Sequence, residues 1–145
     1  MTSSRSLTPK TSKPCRRQFA DFSVVRQLWE GIGCAVLAGA ITGYCLGTNL
    51  WLYLGTATIA AVAGVPAATQ HSSLRGALVR TTVGGFLWAL AVLVVFVARG
   101  HEAVMPLPNP LALYLVTTTL PAMVVGWLVW AWTNRSAAVT AAPAA

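Results

Sequence analysis

Acidic residues are almost missing from this chain: Asp21, Glu30 and Glu102 are the only ones in 145 residues. Histidine is limited to His71 and His101, and cysteine to Cys15, Cys34 and Cys45. These shortages exclude a good deal of chemistry. None of the three lies in the middle of an apolar stretch, where membrane enzymes and transporters usually need ionisable residues. His71 and His101 fall in loops at opposite ends of an apolar segment, too far apart to share a metal. Neither a Cys-x-x-Cys nor a Cys/His cluster occurs, which leaves redox and zinc chemistry without ligands. Cys34 and Cys45 on one helix would stand ~16 Å apart along its axis, too far for a disulfide. Ser72 and Ser73 have no neighbouring base or acid that would make a nucleophile. No catalytic, cofactor-binding or metal-binding residue is assigned, and the chain does not read as an enzyme.

Charge of either sign is also scarce. Charged residues make up 9% of the chain and hydrophobic ones 56%, with a mean hydropathy of +0.66. A soluble domain carries about 25% charged residues, so most of this chain does not face water. Four apolar stretches account for the difference, about residues 28–46, 50–68, 78–98 and 111–132. Each approaches the ~20 residues that a helix needs to cross ~30 Å of hydrocarbon. The fold class expected is therefore all-α: a polytopic membrane protein with four transmembrane helices in an antiparallel bundle.

The net charge of +7 is read through its distribution. Arg5, Lys10, Lys13, Arg16, Arg17 and Arg26 precede the first span, Arg75 and Arg80 flank the third, and Arg135 follows the fourth. All nine share one side if both termini are cytoplasmic, and only Arg99, offset by Glu102, falls on the other. The positive-inside rule thus gives N-in, C-in, in a bacterial inner (plasma) membrane. Residues 1–18 read as a disordered basic cytoplasmic tail. Arg16, Arg17 and Arg26 are expected to contact anionic lipid headgroups, and nucleic acid is not a partner. Arg16-Arg17-Gln18-Phe19 resembles the core of a twin-arginine export signal. Asp21, Arg26 and Glu30 interrupt the apolar run such a signal needs, so the pair is read as inner-face charge.

Phe19, Phe22, Val25 and Trp29 recur at helical spacing, which suits an interfacial helix over about 19–29, or a polar extension of the first span. The membrane domain then covers residues 19–132, and residues 133–145 are read as a disordered tail. Within the first span, Gly31, Ala35, Gly39, Gly43 and Gly47 follow one another four apart. On a helix this row is a groove ~24 Å long, and small residues let backbones approach closely in lipid. Gly64 in the second span, Gly85 in the third and Gly126 in the fourth lie in similar small rows. Gly47–Asn49 is a tight turn that makes span two the neighbour of the groove's outer half. Trp88, at mid-membrane, is read as a packing knob against it. On this reading span one is the central helix.

Asn49 and Ser72 or Ser73 are candidate N-caps, and Asn109 with Pro110 at N1 would start span four. The bulky outer half of span three, Leu90–Val97, suits lipid or a loose packing face. The proline-rich loop around Met105–Pro110 reads as extended and stiff. Tyr44, Trp51, Tyr53 and Tyr114 mark one interface, and Trp29, Trp127, Trp130 and Trp132 the other. Pro121 frees the carbonyl of Thr117 and is expected to bend span four. Glu30 and Arg80 enter the membrane at the same depth and form a candidate interfacial ion pair, with Arg26–Glu30 a second.

Gly76-Ala77-Leu78-Val79-Arg80-Thr81 resembles the G-A-x-x-R-Y motif of fluoride channels, but Thr81 replaces the tyrosine and the motif precedes the third span. Length and span number are similar to those of small multidrug exporters, whose first span carries an embedded glutamate; Glu30 lies at the edge instead. The glycine-rich hairpins are similar to the membrane halves of aromatic-acid exporters, without a shared motif. No family is assigned on these features. The function expected is that of a packing and interaction component, a homo-oligomer or an accessory subunit of a membrane complex. The alternative is a small transporter or channel for an uncharged or apolar solute, lined by Thr42, Thr56, Thr81, Thr117, Trp88 and the Pro121 bend.

Overall fold

A computed structural model describes residues 23–71 and 73–141, without the side chains of 67 and 136–141. Four helices follow in order: α1 Val24–Leu46, α2 Leu50–Thr69, α3 Leu74–Arg99 and α4 Ala112–Ala141. No strand occurs among the described residues. Three segments are long and apolar enough to cross a membrane: Val24–Leu46, Leu74–Arg99 and Ala112–Arg135. The apolar part of α2, Leu50–Pro66, is shorter. At 1.5 Å per residue it reaches only ~25 Å. Three spans therefore meet the length criterion where four are expected from the sequence. Large apolar side chains face outward over the whole bundle, Ile59 at 70% and Val62 at 64% exposure among them. That surface suits lipid, and the chain is an integral membrane protein.

The helix ends follow local chemistry. The Asn49 carboxamide oxygen accepts from the Trp51 and Leu52 amides at 2.8 and 3.3 Å, and Ser73 Oγ accepts from the Gly76 amide at 3.2 Å. Gly100 ends α3 in the left-handed region, at φ 62°, where a side chain would be strained. Other boundaries differ from expectation. α3 starts at Leu74, because the Ser73 cap lies before the apolar run begins. Asn109 and Pro110 do not open α4; the carbonyls of Pro110 and Leu111 accept the amides of Leu113 and Tyr114 in a preceding turn. α4 also continues past Trp132 to Ala141, as the helix propensity of its alanines favours. The described part of the 19–29 segment, from Val24 on, runs directly into α1. Arg16, Arg17 and the rest of 1–22 lie outside the described residues.

The centre of the bundle is α3, which packs on α1 most extensively and then on α4. Fully buried residues occur on both helices, Thr42 and Leu46 on α1 and Ala77, Ala89 and Val92 on α3, but α3 packs on all three other helices, so it and not span one is central. Its bulky outer half, expected to suit lipid or a loose packing face, divides between the two: Leu90, Val94 and Val97 are exposed, and Val92, Leu93 and Phe96 enter the core. Val92, Leu93 and Phe96 pack there with Leu46, Tyr53 and Tyr114. The loop after α3 closes this end. Ala103, Val104, Met105 and Leu107 pack on the core, and the Val104 amide donates to the Leu46 carbonyl at 3.0 Å.

Tyr53 and Tyr114 are no interfacial anchors. They are 7% and 4% exposed and share a hydroxyl–hydroxyl hydrogen bond of 3.1 Å that ties α2 to α4. Removing one partner strands a buried hydroxyl, whereas removing both does not. Tyr53→Phe and Tyr114→Phe are each expected to cost about 1–2 kcal/mol, and the double variant no more than either. Thermal denaturation in detergent, followed by circular dichroism, checks this non-additivity.

Candidate functional site

The small-residue positions divide into those that meet a neighbour and those that do not. On α1, a Cβ built at Gly39 would strike the Trp88 carbonyl oxygen and come within 2.8 Å of the Ala91 methyl. At Gly43 it would strike the Val92 carbonyl oxygen and lie 2.9 Å from the Val92 Cα. These contacts place α1 and α3 side by side and parallel, with both positions advancing by four. The outer half of the groove thus faces α3, not α2. Backbone meets backbone here, and the hydrogen in the place of each Cβ points at a carbonyl oxygen, a weak Cα–H···O contact. Gly47 meets the loop, with a Cβ position 3.0 Å from that of His101.

The α3–α4 crossing uses the same device in antiparallel register. A Cβ built at Gly85 would come within 2.8 Å of the Ala122 methyl, and one at Gly126 within 2.6 Å of Thr81 Cγ2. Gly31 and Gly64, by contrast, have nothing within 4 Å of a Cβ, so neither marks a close backbone crossing. Ala35 is partly buried. Gly31 departs from the row because α1 makes a π turn at Trp29–Gly33, closed by the Cys34 amide donating to the Trp29 carbonyl. The widened turn changes the face that lies above the glycines beyond it.

Trp88 acts through its backbone at Gly39, while its ring packs on the core of the loop end. Its indole Nε1 and the Thr119 hydroxyl are buried, without hydrogen-bond partners among the described residues. The threonines proposed to line a solute path serve their own helices instead. Thr42, Thr56 and Thr81 donate to the carbonyls of Ala38, Leu52 and Ala77 at 2.8–3.0 Å, and Thr117 to that of Tyr114 at 3.2 Å. Pro121 is exposed within a continuous α4.

The ionised groups gather where the α1 and α3 helices begin. Glu30 sits on the π turn and bridges two arginines. Its Oε1 is 2.6 Å from Arg26 Nε, and its Oε2 is 3.9 Å from Arg80 Nη2. Arg80 also reaches the Glu30 carbonyl at 3.5 Å. Arg26 is 55% exposed while Arg80 is 11% exposed, so the local pair is the more solvated and the cross-helix pair the more sheltered. Beside them a groove of about 620 Å³ opens between the two helices. Leu28, Ile32, Val79 and Val83 form its walls, and Gln27, His71, Arg75 and Arg80 also line it. This groove is the feature that sequence reasoning missed. The isolation of Gly31 from its row could have marked it, had the π turn been legible. At the other end of α3, Arg99 stacks 3.7 Å from the centre of the Tyr44 ring and donates to its carbonyl at 3.0 Å.

Two measurements test these sites. Leucine at Gly43 collides with backbone that cannot move aside, so Gly43→Leu is expected to cost ~3 kcal/mol and to unfold the chain in mild detergent. His71 carries a pH signature. Burial, and after it the charge of Arg80, holds its imidazole below the ordinary 6.5. The unfolded chain then takes up a proton first as pH falls, so stability is full above about 6.5 and is lost through the lower folded value. The melting temperature should drop over that window, and His71→Gln should remove the drop.

Among the described residues no three His, Cys, Asp or Glu side chains come together as metal ligands. Compared with known proteins, the chain matches no family model, no curated protein and no solved structure.

Proposed function

We propose that this chain is a non-catalytic packing component of a membrane, acting as a homo-oligomer or as an accessory subunit of a larger membrane complex. On this reading all four helices cross the bilayer, α2 included, with both termini on the cytoplasmic side. The one-sided placement of nine basic residues supports that orientation, with Arg26 near the anionic headgroups.

One observation carries the interaction role. Six consecutive residues of α2, Ala61–Pro66, are all exposed. Six residues make more than one and a half helical turns, so every face of this part of α2 is open. Its composition is Ala, Val, Ala, Gly, Val and Pro. Small side chains bring little to a lipid contact and much to a helix–helix contact. The solute-path alternative gains no comparable support, since its threonine hydroxyls are engaged by their own helices.

Light scattering of the full-length chain in mild detergent tests the reading. The expected particle is a multimer, or a complex with a co-purifying membrane protein. Gly64→Leu, which meets nothing within the chain, should reduce the association at least several-fold with helix content unchanged. A lone monomer without any partner contradicts the proposal.

A further inference from the structure

Two polar atoms inside the bundle break the pattern of the rest. Thr42, Thr56, Thr58, Thr81, Thr117 and Thr118 each donate to a carbonyl of their own helix three or four residues back. Thr119 makes no such bond, and its hydroxyl is buried without a partner among the described residues. The carbonyl four residues before it, that of Leu115, already accepts from the Thr118 hydroxyl at 3.2 Å. The indole Nε1 of Trp88, near the middle of α3, is likewise buried and unpartnered among the described residues.

The α3–α4 crossing brings these two groups together. Gly85 is paired with Ala122 and Thr81 with Gly126, an antiparallel register in which an advance of four on α3 is a retreat of four on α4. Three residues beyond Gly85, the same register sets Trp88 opposite Thr119. A Cβ at Gly85, one turn before Trp88, would already lie 3.8 Å from the Thr119 Cα. Side chains on a helix lean toward its N-terminus, so in this antiparallel pair those of Trp88 and Thr119 lean toward each other. Gly85, Ala89 and Ala122 around them carry no side chain larger than a methyl, and Ala89 is fully buried.

The chemistry of the pair defines what it can hold. An indole N–H only donates, whereas a threonine hydroxyl donates and accepts. Buried polar groups take a hydrogen-bond partner, and at this depth lipid offers none. The occupant must therefore accept from the indole and bond the hydroxyl as well. It must also be neutral: no Asp, Glu, Lys, Arg or His lies between Arg80 and Arg99 on α3 or between Ala112 and Asn134 on α4, so an ion would have no counter-charge. Water meets these conditions, since an internal water typically bonds about two to four buried polar groups.

We propose that one water molecule is bound inside the α3–α4 crossing, bridging the Trp88 indole N–H and the Thr119 hydroxyl. It is a polar tie between the two helices, placed between the Gly85–Ala122 contact and the core at the loop end. Trp88 then has a role that its packing does not supply. The site also accounts for an indole at the middle of a membrane-crossing helix, away from the interfaces where tryptophan is enriched.

Nuclear magnetic resonance of the full-length protein in detergent, with isotope-labelled tryptophan, tests the site in solution. The Trp88 indole signal, assigned with Trp88→Phe, should show cross-relaxation with water of the sign given by a long-lived bound molecule. Thr119→Val keeps the shape and removes the hydroxyl; it should weaken that transfer at least several-fold and leave the signal of the Trp51 indole, 79% exposed, unchanged. Thr119→Ser, which restores a hydroxyl, should restore the transfer. No transfer in the wild-type protein, or transfer undiminished by Thr119→Val, would overturn the proposal. Crystals of the unaltered protein grown from a lipidic mesophase give a readout that needs no folded variant. One water oxygen within about 3.2 Å of both atoms is expected. A direct bond from Nε1 to the Thr119 Oγ, or an acyl chain between them, would overturn the assignment.

Discussion

The contact of Gly39 and Gly43 with the carbonyl oxygens of Trp88 and Val92 constrains the rest of the bundle. Two helices whose backbones meet without intervening side chains are fixed in distance, in rotation and in register at once. In a bilayer no hydrophobic effect holds helices together, so the many short contacts of such a crossing take its place. Each Cα–H···O contact is worth about 0.5–1 kcal/mol, and the surrounding dispersion contacts add to it. Once α1 is seated on α3, Glu30 falls beside Arg80 at one end and Leu46 beside Val92 and Phe96 at the other. The ion cluster and the apolar core are thus consequences of one crossing. α4 joins the opposite side of α3 through Gly85 and Gly126, by the same physics in antiparallel register.

α2 is the odd helix in this arrangement. It is tied to the bundle at its start, where Asn49 caps it and Tyr53 bonds to Tyr114. Farther along, Ala61–Pro66 are open on all faces. A helix anchored at one end and small-sided at the other is suited to accept a partner, and this is why an interaction role is preferred to a solute path. The groove between α1 and α3 belongs to a different part of the molecule and to a different chemistry.

Much of the fold is legible in the residues where local chemistry decides. Asn49 and Ser73 cap their helices as their side chains allow, and the apolar runs define helices close to those observed. The small-residue rows mark real crossings at Gly39, Gly43, Gly85 and Gly126. What the rows cannot specify is the neighbour, because a glycine is equally smooth toward any helix. The short Gly47–Asn49 turn pointed to α2, yet the carbonyls at Gly39 and Gly43 belong to α3. The drift of a four-residue spacing around a helix already sets Gly31 apart from Gly39 and Gly43; the π turn at Trp29–Gly33, which spacing does not reveal, adds to that separation. The prolines after α3 signal an extended segment, but not that Val104, Met105 and Leu107 beside them cover the core.

Thiol cross-linking in native membranes tests the central crossing most directly. With Cys15, Cys34 and Cys45 replaced by serine, Glu30→Cys is paired with Arg80→Cys and treated with a flexible dithiol-reactive linker that spans the place of the two native side chains, whose ends approach to 3.9 Å. A parallel α1–α3 crossing predicts rapid, intramolecular cross-linking of this pair. No product, or a product formed only between two chains, would contradict the account.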